Sequence, residues 1–62
     1  MDKKIYEFKG KRYSVFCETI MKNDEDIWIP VVIYEAQYDN PDGKYFVRRK
    51  EHFYEKFKLI TN

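Results

Sequence analysis

Six residues carry most of the chemistry that this 62-residue chain could perform. Arg48 and Arg49 are adjacent, followed by Lys50 and preceded by Lys44, so four of the twelve cations fall within seven residues, beside Tyr45 and Phe46. Guanidinium groups match phosphate oxygens bidentately and stack on flat rings, while aromatic side chains offer a base a π surface. Trp28 and Tyr34 share one face of an apolar central segment, where they could form a stacking platform or a seam between subunits. Arg48, Arg49, Lys44, Tyr45, Trp28 and Tyr34 therefore form the candidate ligand site, with cations on phosphate and rings on bases. The competing reading places Phe46 in a core and Tyr45 on its rim, with the arginines solvated or paired with Glu35 or Glu51.

Catalysis finds less support. Cys17 is the chain's single cysteine and His52 its single histidine. Cys17 falls on the expected inward face of a strand, where a small hydrophobe is the ordinary role, and a reactive thiol needs an electropositive, partly open setting. Asp24 and Asp26 share a solvated loop with no apolar wall to raise either pKa. That loop also lacks the ligand spacing, glycine and terminal glutamate of a calcium loop. No glycine-rich phosphate loop, Ser-His-Asp arrangement or metal-ligand cluster is present. The expectation is a protein that is not an enzyme and uses no metal and no cofactor.

Twelve Lys and Arg against eleven Asp and Glu leave a net charge of +1, too little to draw the chain toward nucleic-acid polymer or anionic lipid. The N-terminus lacks the apolar stretch of a signal peptide, and the longest apolar run, Ile27 to Tyr34, is too short to span a bilayer. A cytoplasmic setting is expected, the host cytoplasm if the protein is viral. Residues 1–62 suffice for a single domain, and a domain this short buries only about 60% of its unfolded surface. Self-association, as a dimer or tetramer, would compensate. The 19% aromatic content excludes a disordered chain.

Period-2 alternation and turn residues set the elements. Ile5 to Phe8 is a first strand, ended at Lys9-Gly10-Lys11, where Gly10 takes a positive φ at little steric cost. From Arg12 to Met21 the odd positions Tyr13, Val15, Cys17, Thr19 and Met21 face inward. Lys22 to Asp26 is a solvated hairpin loop. Ile27 to Tyr38 is apolar on both faces, so one face needs cover from a subunit, ligand or loop; Pro30 suggests an edge or a bulge. Asp39-Asn40-Pro41-Asp42-Gly43 is a turn, Lys44 to Arg49 a fourth strand, Lys50 to Lys56 a short tertiary-held helical turn, and Phe57 to Thr61 a last strand. This order is that of a mainly β, SH3-like five-stranded barrel with one short helical turn before the last strand. A curled antiparallel sheet carrying one short helix is the alternative.

Tyr6, Gly10, Tyr13 and Val15, then Val32-Ile33-Tyr34 and Tyr38, then Phe46-Val47-Arg48 with Phe53 and Glu55, resemble a family of short uncharacterised prokaryotic and phage domains. The resemblance covers nearly the whole chain and implies an SH3-like barrel and no assigned reaction. Where that family has Trp-Val-Arg-Pro, this chain has Phe46-Val47-Arg48-Arg49. In style the chain also resembles small oligomeric phage anti-defence proteins, among them anti-CBASS sponges that sequester cyclic nucleotides. The reading is a homo-oligomer, joined through the central strand, that captures a cyclic dinucleotide at a subunit interface. The alternative is a protein-interaction module that inhibits a host protein.

Overall fold

The computed structural model describes residues 4–61, which form a mainly β domain: β1 Ile5–Phe8, β2 Lys11–Lys22, β3 Trp28–Ala36, β4 Tyr45–Arg49, helix α1 Lys50–Lys56 and β5 Lys58–Thr61. All strand pairs are antiparallel, in the order β4-β3-β2-β1-β5. The strands and the helix before the last of them lie where alternation and turn chemistry place them. The sheet is not closed into a barrel: β4 and β5 are its two edges and do not pair. The alternative, an antiparallel sheet carrying one short helix, is the one realised. Its physical basis is α1, which joins the two edge strands and, with Phe53 and the Phe57 that follows it, fills the inner face, so the core is covered without closure.

Three local devices fix the hairpins. Lys9 (φ 53°) and Gly10 (φ 77°) both adopt left-handed conformations, the two-residue turn whose twist suits β1 and β2. Asn23 Oδ1 accepts the amides of Glu25 (2.9 Å) and Ile27 (3.0 Å), closing the β2–β3 loop without help from its acids. In the β3–β4 turn the Asx bond comes from Asn40, which accepts the Asp42 amide at 3.0 Å. Gly43 then turns the chain at φ 135°.

Five of the seven residues in the buried cluster are aromatic: Tyr6, Tyr13, Tyr34, Phe53 and Phe57, beside Val32 and Ala36. That explains the composition, because rings bury the most surface per residue and let a small chain build a core without disulfides. Helix α1 spans seven residues and has no side-chain cap. It is held by Phe53, which is fully buried, and by Phe57, stacked on it at 4.2 Å. Phe57 follows the last helical residue in extended backbone, and its amide donates to the Phe53 carbonyl at 2.8 Å.

Cys17 departs from its expected place. The β2–β3 register shifts between Val15 and Cys17, so Tyr13 and Val15 lie opposite Ala36 and Tyr34, but Cys17 lies opposite Ile33. An extra residue in one strand moves everything beyond it to the other face. Cys17, Thr19 and Met21 consequently share the outer face with Ile33, Val31 and Ile29. The inward face beyond the bulge is the even one.

Tyr13 ties the core to the β3–β4 turn: its hydroxyl shares a 2.9 Å hydrogen bond with that of Tyr38, which accepts from Asn40 Nδ2 at 3.0 Å. Burial first, then the Tyr38 bond, pushes the Tyr13 phenol up to about 12 from 10.0. Tyr54 is also raised, by burial and by its bond to Glu18. A phenol with a raised folded pKa holds its proton more tightly in the native state. Its contribution is whole below pH 10.0, the unfolded value, and is lost as pH climbs through about 12. The melting temperature should therefore fall between these two pH values, and an unchanged Tm across that window would contradict the role given to Tyr13.

Candidate binding surface

The six candidate residues do not meet in the fold of the chain. Tyr34 is 5% exposed, packed beneath α1 against Phe53 and Phe57, so it offers no platform to a ligand. Even-numbered β3 residues from Val32 to Ala36 thus receive their cover from the chain's own helix. Trp28 is on the β2–β3 hairpin arm, 58% exposed, with Lys22 over its ring. Tyr45 pairs with Glu35 at the other end of β3, about 23 Å from Trp28 at roughly 3.3 Å per residue. Lys44 is held there too, 3.1 Å from Glu35, whose carboxylate raises its pKa.

Arg48 and Arg49 diverge, as neighbours on a strand must. Arg48 turns inward, with its guanidinium over the rings of Phe8 and Phe57, 5.3 Å from each. Its Nε donates to the Tyr34 hydroxyl at 3.3 Å and its Nη1 to His52 Nδ1 at 3.2 Å. A guanidinium only donates, so Nδ1 of His52 is the acceptor. Arg48 is thereby a lid on the aromatic core. Arg49 turns outward and is 3.8 Å from Glu51. His52 is on the inner side and Cys17 on the outer, so the sheet separates the Cys-His pair. Among the described residues no three or more His, Cys, Asp or Glu gather as metal ligands, and no helix is long and apolar enough to cross a membrane.

Two surfaces take the place of the expected pocket. The first is the outer sheet face. Across it run the rows Cys17, Ile33, Val47 and Thr19, Val31, Arg49, with Met21 beside Ile29, and of these Val31 is itself buried. Phe16, at the bulge, sets its ring 5.5 Å from that of Tyr45. Phe16 is 63% exposed, Val47 54% and Tyr45 53%; Met21 continues this face along the arm, and Ile20 on the arm's other face and Ile27 in its loop are exposed as well. The signal in the sequence was Phe16 and Ile20, two large apolar residues on the face of β2 assigned to solvent.

The second is a notch of about 440 Å³ where β4 ends and α1 departs, lined by Ile29, Pro30, Arg49, Lys50, Glu51 and Tyr54. Here β3 has β2 on one side and no β4 on the other, so the missing N–H of Pro30 costs no ladder bond there, as its edge reading required. Beside the notch Glu18 is held by Lys50 at 3.0 Å and by the Tyr54 hydroxyl, which donates at 2.5 Å. The Tyr54 bond, then that of Lys50, lowers the Glu18 pKa.

A small open antiparallel sheet, capped on one side and bare on the other, is the class of domain these features define. The chain belongs to the family described as protein of unknown function DUF1653, whose model matches residues 4–60. No curated protein and no solved structure matches it.

Proposed function

We propose that this protein is a non-catalytic interaction module that grips an apolar protein surface with the outer face of its sheet and the tip of the β2–β3 arm. The observation that carries this reading is the contiguous exposure of Phe16, Tyr45 and Val47 on a face the helix leaves bare. Exposed apolar patches of this kind mark protein contacts, and aromatic anchors supply most of the affinity in such contacts. The reading is tested by purifying tagged wild type from its native cells beside Phe16→Asp. A stoichiometric partner retained by wild type and lost in a folded Phe16→Asp variant is the expected result; equal retention by both would refute it.

A second reading rests on the notch. Arg49 and Lys50 could meet the phosphates of a small anionic ligand while Pro30 and Tyr54 flank its base, within a volume typical of ligand sites. Such capture of a cyclic dinucleotide would leave the ligand chemically unchanged. Against it, Lys50 already pairs with Glu18 and Arg49 faces Glu51, so a phosphate must displace carboxylates. Calorimetry with cyclic dinucleotides separates the two: heat that disappears in Arg49→Ala supports capture, and no heat with wild type removes it.

A further inference from the structure

The β4 edge is built to accept a strand, and its own copy is the strand that fits. β4 pairs with β3 alone and contains neither proline nor glycine. The Ala36 amide donates to the Lys44 carbonyl at 2.8 Å, which fixes the phase of the ladder. Ala36–Lys44 leads to Tyr34–Phe46 and Val32–Arg48, so the even residues spend their backbone groups on β3. Tyr45 and Val47 therefore direct their N–H and C=O groups away from the sheet, along the free edge, as Arg49 does its N–H, while the Arg49 carbonyl accepts the first bond of α1. The opposite edge, β5, is a poorer template: it has four residues, and the β1–β5 register shifts between Ile5 and Tyr6.

We propose that β4 pairs antiparallel with the β4 of a second copy, about a two-fold axis at Val47, joining two sheets into one. This proposal is independent of the docking function above. In this register all five residues overlap and Val47 meets its counterpart. Tyr45 lies opposite the second copy's Arg49, and Phe46 opposite the second copy's Arg48. Each ring thus faces a cation on the same side of the sheet, twice over, the arrangement in which rings and guanidinium groups attract. Lys44 and Lys50, next in line, would oppose each other, but each already carries its own carboxylate, Glu35 and Glu18.

Other registers fail on charge or overlap. Centring on Arg48 or Arg49 sets each against its own counterpart. Centring on Phe46 sets Arg48 against Lys44, and centring on Tyr45 carries Arg49 past the strand to Pro41 in the turn. The self-association expected from the sequence thereby acquires a definite surface. β3 is bonded on both sides from Val31 to Glu35 and so offers no free edge of its own.

Sedimentation of the full chain over a range of concentrations, with wild type beside Val47→Lys, tests the proposal. Val47 is half-exposed on the outer face, so the lysine leaves the fold intact while placing two like charges at the axis. Wild type should dissociate on dilution and Val47→Lys should stay monomeric. Residue-resolved amide exchange gives a second reading. In the wild type the amides of Tyr45, Val47 and Arg49 should slow as concentration rises, while those of Phe46 and Arg48 stay protected throughout. Phe16→Asp should leave the dimer unchanged. A wild type that is monomeric at every concentration would overturn the proposal. So would a dimer that survives Val47→Lys, one whose odd β4 amides exchange equally fast at all concentrations, or one that Phe16→Asp dissolves.

Discussion

Phe53→Ala should leave the protein largely unfolded at room temperature. Phe53 is fully buried and its ring lies 5.2 Å from Tyr6, 5.0 Å from Tyr34, 5.1 Å from Tyr54 and 4.2 Å from Phe57. Truncating a buried phenylalanine costs about 3–5 kcal/mol, and a core of this size supplies roughly 3–5 kcal/mol in total. The cost cannot be spread, because the seven-residue α1 has no stability of its own and this residue anchors it. Circular dichroism and thermal melts would report it. Phe53→Leu, which keeps most of the volume, should fold with a lowered Tm. A cooperative melt of Phe53→Ala near the wild-type Tm would mean that the helix is not what covers the sheet.

Arg48→Ala should cost about 2 kcal/mol of stability, from the lost stacking over two rings and from the buried Tyr34 hydroxyl left without its donor. In a domain of this length that lowers Tm by about 8–16 °C. Lysine cannot stack in the same way or present the same fork of donors, so Arg48→Lys should recover only part of the loss. Arg49→Ala, its exposed neighbour, should change stability by less than about 0.5 kcal/mol. The pair is a sharp comparison, since two adjacent arginines are identical in type and differ only in which way the strand points them. Equal effects from the two substitutions would contradict the lid role of Arg48.

That comparison also shows where the sequence was legible and where it was not. Element boundaries follow alternation and turn residues, and those are local: Gly10, Asn23 and Gly43 act within a few positions of themselves. Faces are a tertiary matter. One extra residue near Phe16 reverses the inward side of β2, and alternation has no way to mark it except through the misplaced Phe16 and Ile20. The double apolarity of the central strand suggests cover from a subunit, ligand or loop, whereas the cover for Tyr34 is Phe53, supplied by a helix nineteen residues on. The candidate site suffered most, because adjacency of Arg48 and Arg49 in the chain suggests cooperation, whereas a β-strand drives neighbours apart.

The central claim is that partners are bound through the bare outer face and not through the basic cluster around Arg49 and Lys50. The most direct measurement is partner retention by three folded proteins: wild type, Phe16→Asp, and the double variant Arg49→Ala with Lys50→Ala. Retention that is lost with Phe16→Asp and kept by the double variant is the predicted result. Retention kept by Phe16→Asp and lost with the two cations would contradict it.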